Sequence, residues 1–170
     1  MPYPASAIAN EFLRVAKEQA QPITPLHIQK YVYFSHGWYL ALRNDPLIRE
    51  RICAWNYGPV IPTLYHSFKQ FGSGPITAFA TETEVKTDGG KMRFVTKEAW
   101  IEDYCKTEEN KLQTVALVEK VWEVYRGFSA VQLSRLTHAD GSPWSEARRQ
   151  HLTVIPDELI RDFFKNQGNG

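Results

Sequence analysis

The chain has 170 residues, with 20 lysines and arginines against 19 aspartates and glutamates, so its net charge is +1 with neutral histidines. This length suits one domain with a single core, and the near-neutral charge disfavours the phosphate binding that a basic excess would support. Two cysteines are too few for a disulfide scaffold, and the N-terminus lacks the order of a secretory signal. We therefore expect a cytoplasmic protein with reduced thiols and no membrane partner.

Two helices are predicted at the start of the chain. Residues 5–19 place apolar side chains at helical spacing, which indicates an amphipathic helix. Residues 23–42 form the next one, with Thr24 as its N-cap and Pro25 in its first turn. The apolar residues of this second helix cover most of its circumference instead of one stripe. We expect it to be the buried centre of the fold, with Trp38 among its buried side chains.

The middle of the chain is predicted to contain the β structure. Residues 52–55 suit a short extended segment, and the sequence NYGP at 56–59 is a strong turn signal before a helix over 60–71. Residues 76–95 alternate in polarity around the sequence DGG, whose glycines supply the left-handed backbone of a hairpin turn. This predicts a two-stranded hairpin insertion at about 76–95. The hairpin must pack against the helices, because an isolated two-stranded ribbon is only marginally stable.

The second half of the chain is predicted to be helical. Helices are expected over 96–104, 108–125, 129–136, 143–150 and from 156 onward. Ser129 and Gln132 fit a capping box, and Ser142 before Pro143 repeats the cap-then-proline start of the central helix. The predicted fold class is mainly α: one compact helical domain over residues 1–170, built around a central buried helix, with a small β-hairpin insertion.

The residue types that carry catalysis or bind metals lack the spacing that such sites need. His27 and His36 are nine residues apart, more than two helical turns, so they cannot share one metal ion. Cys53 lies between apolar neighbours, which indicates a buried hydrophobe, and the sequence has no GxSxG, GxGxxG or P-loop. We expect no catalytic residue, metal or cofactor, and therefore a protein that is not an enzyme.

The helices over 129–136 and 143–150 raise the alternative of a helix-turn-helix, with Arg148 and Arg149 as phosphate contacts. Their connection, THADGS, is longer than the usual turn of three or four residues. Together with the net charge, this disfavours nucleic acid as a partner.

Two aromatic clusters are candidates for a partner-binding surface. Their residues are Trp55, Tyr57, Gly58 and Pro59 in the first cluster, and His138 and Trp144 in the second. Tryptophan and tyrosine on a rigid turn can anchor a protein partner, because they bring a large area at a small entropic cost. The same side chains could instead fill the core, and both interpretations stay open at this point.

Three blocks of sequence, at 23–42, 54–72 and 121–148, resemble in their order and spacing the Panacea domain, the family of SocA-like antitoxins and related prophage proteins. The resemblance extends from about residue 5 to residue 164, and the hairpin region is its least family-like part. It implies a mainly α-helical domain that is the neutralising half of a toxin–antitoxin pair, with no established catalytic residues to carry over.

The resemblance also implies two modes of action. In most members the domain binds the toxin directly, whereas the SocA type delivers its toxin to a ClpXP-like protease. We expect an antitoxin that binds its cognate toxin directly, with the hairpin and the Trp55 turn as contacts. A protease adaptor and a DNA-binding autoregulator are the alternatives.

Overall fold

The computed structural model describes residues 2–168, which form seven α-helices and two antiparallel sheets of two strands each. The helices are α1 (Ala5–Glu18), α2 (Pro25–Arg43), α3 (Pro62–Phe68), α4 (Glu108–Tyr125), α5 (Ala130–Thr137), α6 (Pro143–Arg149) and α7 (Asp157–Gly168). The strands are β1 (Cys53–Trp55), β2 (Gly58–Val60), β3 (Thr81–Asp88) and β4 (Lys91–Glu98). Short 3-10 helices lie at Lys69–Phe71 and Ile101–Asp103.

Helix α2 is the centre of the fold, as predicted, and contacts α1, α3, α4, α5 and α7. The hydroxyl of Thr24 accepts the backbone N–H of His27, which caps the first turn. Tyr31 is fully buried in the middle of α2, with its ring centroid 5.2 Å from Phe12 and 5.7 Å from Trp122. These aromatic contacts join three helices in one apolar core. Trp38, by contrast, is only half-buried.

The predicted fold class is wrong, because the structure is mixed α/β, although helices dominate it. Helix accounts for 54% of the chain and strand for 15%. The strand β2 was missed: residues 58–60 fold back against β1, where the sequence predicts only a turn and the start of a helix. The glycine and proline of β2 indicate a turn, and three residues carry too little alternation to outweigh that signal.

The longer hairpin is present, but it lies further along the chain than predicted. Its register pairs Asp88 with Lys91, and Gly89 and Gly90 have φ values of 53° and 78°, the left-handed values that a tight two-residue turn requires. The strands begin at residue 81 instead of 76, and β4 continues to residue 98. The helix predicted over 96–104 is therefore wrong.

A buried amide on α1 anchors the base of this hairpin. The side chain of Asn10, which is fully buried, donates to the carbonyls of Ala80 and Ala99 at 2.8 Å each and accepts the N–H of Ala80 at 2.7 Å. These bonds satisfy backbone groups that a two-stranded ribbon leaves unpaired where it enters the core. The hairpin is thereby fixed to the helices at its base.

Candidate functional site

The two aromatic clusters of the sequence meet at the turn between β1 and β2. The register pairs Trp55 with Gly58, so that the reversal is made by two residues. Gly58 has φ +110°, and a methyl group on its Cα would lie 2.7 Å from Lys30 Nζ and 2.9 Å from His138 Cε1. Both the backbone angle and the lack of space require glycine at this position. Gly58 and Pro59 are buried, so they shape the turn and do not present a surface.

Lys30 of the central helix lies beneath this turn. Its side chain is completely buried, and its ammonium group donates to the carbonyl of Pro59 at 3.2 Å. Burial lowers the pKa of the Lys30 ammonium to about 8, because a charge in a low-dielectric interior loses its hydration. The neighbouring side chain of Gln29 donates to the carbonyl of Ile61 at 3.1 Å and accepts its N–H at 2.9 Å. Helix α2 thus holds the middle of β2, at Pro59, and the residue that follows the strand, Ile61, through buried polar groups.

The second cluster joins the turn through Trp144. Its indole N–H donates to the carbonyl of Trp55 at 2.7 Å, across 89 residues of sequence. The ring of His138 packs against Trp144 at 4.2 Å, and its Nδ1 donates to the carbonyl of Ser134 at 2.6 Å. That bond requires a proton on Nδ1 of His138, because a carbonyl can only accept. The predicted candidates therefore belong to one site.

The surface of the site is a group of aromatic rings, which we call the aromatic patch: the exposed Trp55, Tyr57 and Tyr65 and the partly buried Trp144. Tyr57 at the tip of the turn is 84% exposed, and Trp55 is 38% exposed. The ring of Trp55 meets that of Tyr65 edge-on at 5.2 Å, which orients both rings. Such side chains on a braced turn form a surface that needs little ordering when a partner binds.

The arginines of α6 do not form the basic face that a recognition helix would need. Arg149 forms an ion pair with Glu146, and this contact lowers the pKa of the Glu146 carboxyl to about 2. The guanidinium of Arg148 lies 5.9 Å from the ring of Trp144, at the edge of the aromatic patch. Helices α5 and α6 are instead packed against the short sheet through β2 and β1.

The histidines of the central helix have structural roles. His27 takes part in the cap of α2 with Thr24, and burial lowers the pKa of its imidazole. His36 is buried, accepts the N–H of Ile48 at 3.4 Å and lies 3.1 Å from a carboxylate oxygen of Asp157. Within residues 2–168, no group of three histidine, cysteine or acidic side chains is placed to hold a metal ion. Among the described helices, none has the length and apolar character that a bilayer crossing requires.

Sequence reasoning found the aromatic residues of this site but missed the polar ones beneath it. Gln29, Lys30 and Tyr65 were not candidates. The first two are polar residues between apolar neighbours on the central helix, and that position is the signal that could have identified them. A polar residue buried in such a helix needs a partner, and here the partner is the backbone of the turn.

The sequence profile of the antitoxin SocA-like Panacea domain matches residues 28–145, more than half of the chain. Antitoxin SocA of Caulobacter vibrioides is 29% identical over 169 residues, which cover 96% of this chain and 83% of that protein. No solved structure gives a significant match.

Proposed function

The chain belongs to the antitoxin SocA-like Panacea domain family, and from that premise we propose that it is the antitoxin of a bacterial or phage toxin–antitoxin pair. It neutralises its cognate toxin by binding it directly, without catalysis or a cofactor. The observation that carries this proposal is the aromatic patch, in which two distant segments of the chain converge on one braced and partly exposed turn. The relative from Caulobacter, itself named an antitoxin, supports the same role.

The chemistry of the patch suits protein recognition. Tyrosine and tryptophan are enriched among the residues that dominate binding energy at interfaces, because each buries a large area and can also form a hydrogen bond. Tyr57 is almost fully exposed and has no role in the core, so nothing in the packing of the described residues accounts for an aromatic side chain there. Its hydroxyl and ring face solvent, where a partner can cover them.

The buried contacts below the turn support the same proposal. Lys30 and Gly58 fix the backbone on which Tyr57 and Trp55 are mounted. An interface built on a rigid turn loses less conformational entropy on binding than one built on a mobile loop. The alternatives need additional surfaces: an adaptor must also contact a protease, and an autoregulator must also contact DNA.

Copurification tests the proposal. The chain is expressed with the toxin encoded beside its own gene, the toxin is captured by an affinity tag, and the amount of antitoxin retained is measured. Wild type is expected to be retained at a fixed stoichiometry. Tyr57→Ala and Trp55→Ala are expected to weaken the complex by about 2 kcal/mol each, a typical interface hot-spot loss and about 30-fold in Kd.

Two controls accompany these variants. Tyr57→Phe keeps the ring and should remain close to wild type, and Leu42→Ala removes an apolar side chain that is 72% exposed on the central helix, outside the patch. Circular dichroism and thermal melting establish that each variant is folded. Retention of Tyr57→Ala and Trp55→Ala at the wild-type level would mean that the toxin does not bind the aromatic patch. Absence of any complex with wild type would contradict direct neutralisation.

A further inference from the structure

The hairpin of β3 and β4 is fixed at its base and free at its tip. Besides the Asn10 bonds, Glu82 near the base accepts from Ser6 Oγ at 2.7 Å and from Arg49 at 2.8 Å. Lys97 opposite it forms ion pairs with Glu84 and Asp103. The residues beyond these contacts, 85–94, are exposed along their whole length. The hairpin therefore projects from an anchored base.

One face of the projecting tip is apolar. The register places Val85 opposite Phe94 and Thr87 opposite Met92, and alternation along a strand puts all four side chains on one side of the ribbon. Val85 is 55% exposed, Met92 is 73% exposed and Phe94 is 75% exposed. Three large apolar side chains that adjoin on an exposed ribbon form a patch of the kind that interfaces cover.

The opposite face of the tip is cationic. It carries Lys86, Lys91 and Arg93, with Asp88 as its one carboxylate beyond Glu84. Lys86 and Arg93 are directly opposite each other, an arrangement of like charges that destabilises an isolated ribbon. In the described part of the chain, the ion pairs of this hairpin are those of Glu82, Glu84 and Lys97 nearer the base. The tip cations have no carboxylate partner there.

We propose that the hairpin tip inserts into a cleft of the cognate toxin that has one apolar wall, which covers Val85, Met92 and Phe94, and one acidic wall, which pairs with Lys86 and Arg93. This inference rests on the proposed function and adds the chemistry of the toxin surface. The acidic wall relieves the repulsion between the two opposed cations, and the apolar wall removes the exposed side chains from water. The destabilising features of the free hairpin thus become favourable contacts in the complex.

The observations favour a protein cleft over the other anionic partners. Duplex DNA would contact the cationic face through its phosphates. It would leave the phenylalanine and methionine of the opposite face exposed to water. A lipid surface would contact one side of the ribbon, and here the apolar and cationic side chains lie on opposite sides. A cleft is the arrangement that engages both faces at once.

The test measures the Kd of the purified full-length chain for the product of the neighbouring toxin gene by calorimetry, at low and high salt. Arg93→Glu places a carboxylate opposite Lys86, which stabilises the hairpin itself. The same change removes the hairpin cation that would pair with the acidic wall of the toxin. Phe94→Thr removes the apolar contact and keeps a residue that favours strands. Each variant is expected to raise Kd about 30-fold. The salt dependence of binding should also be smaller for Arg93→Glu than for wild type.

Matched controls are Lys165→Glu, with the same change of charge on α7, and Leu42→Gln, at a side chain 72% exposed on α2. Both should bind with the wild-type Kd. If Arg93→Glu and Phe94→Thr also bind normally, the inference is overturned while the proposed function stands. Failure of wild type to bind the toxin overturns both.

Three further measurements test whether the hairpin tip binds a lipid surface, duplex DNA or a second copy of the chain instead of the toxin. The inference would be overturned if the wild-type chain binds anionic phosphatidylserine vesicles or duplex DNA and Arg93→Glu loses that binding. Self-association of the chain, measured by light scattering and abolished by Phe94→Thr, would also overturn it. The inference predicts a wild-type chain without affinity for vesicles or DNA and an association state that Phe94→Thr does not change.

Discussion

At the residue scale, Lys30 connects the core of the molecule to its candidate surface. An ammonium group is completely buried there and donates to one carbonyl of the turn that carries Tyr57. Burying a charge without a counter-ion costs free energy, and the fold offsets that cost elsewhere. A hydrophobic residue of similar length would avoid the cost but would leave the Pro59 carbonyl without its donor.

The pH dependence of stability tests this description of Lys30. Its ordinary pKa of 10.5 falls to about 8 in the folded protein. Between pH 8 and 10.5 the folded state has released a proton that the unfolded chain still holds, so this group makes the free energy of unfolding increase with pH. Below pH 8 both states hold the proton, and the folded state bears the full cost of the buried charge. The increase is on the order of 3 kcal/mol.

Lys30→Met should remove that increase. Urea unfolding of wild type and of the variant, measured from pH 7.5 to 10, should give curves that diverge, with the wild type gaining stability relative to the variant as pH rises. The same groups other than Lys30 titrate in both proteins, so their contributions cancel in the comparison. Parallel curves would show that Lys30 stays protonated in the folded state throughout this range, so that its pKa is not lowered by burial.

At the element scale, the central helix is packed closely enough to constrain its smallest residue. Gly37 lies where α2 crosses α7, and a methyl group on its Cα would overlap the ring of Phe164. Gly37→Ala should destabilise the protein by about 1–3 kcal/mol, since overpacking forces neighbouring side chains out of their rotamers. Chemical denaturation measures the loss.

A second substitution makes the Gly37 prediction specific. Phe164→Leu removes the ring that the added methyl group would meet, so the double variant should lose less stability than the sum of the two single variants. Additive losses would mean that Gly37 is required for a reason other than its contact with α7.

The elements themselves were predictable where the sequence has strong end signals. The helix at 108–125 is found with its predicted bounds, and the caps at Thr24, Ser129 and Ser142 are all present. These signals act within one helical turn, so they can be identified in a single sequence. Strand β2 could not be identified in this way. Its backbone is bound by Lys30, and the residue after it by Gln29, which are 29 and 32 residues away in the chain.

The candidate site was likewise predictable where the signal is local and unpredictable where it depends on contacts between distant residues. Its aromatic residues were visible because tryptophan and tyrosine beside a turn are unusual in composition and position. Their convergence was not visible, since the bond from Trp144 to Trp55 spans 89 residues. The buried amides of Asn10 and Gln29 and the buried amine of Lys30, which hold the two hairpins, were not predicted, because local sequence does not show which backbone groups a side chain will satisfy.

At the scale of the whole molecule, a largely helical body carries two exposed elements, each held by buried polar contacts. The aromatic patch is held by the central helix, and the longer hairpin is held by α1. Under the proposed function both elements contact the toxin, and binding alone is then sufficient for neutralisation by mass action. An adaptor would need one of the two surfaces for a protease instead.

Growth rescue in the absence of the protease distinguishes these two mechanisms most directly. The chain and its neighbouring toxin are expressed in matched host cells with and without ClpXP, and growth is compared at equal toxin levels, determined by immunoblotting. Direct neutralisation predicts the same rescue in both hosts, with the toxin still present and held in a stable complex. Rescue that occurs only in cells with ClpXP, accompanied there by loss of the toxin, would contradict direct neutralisation and establish the adaptor mechanism.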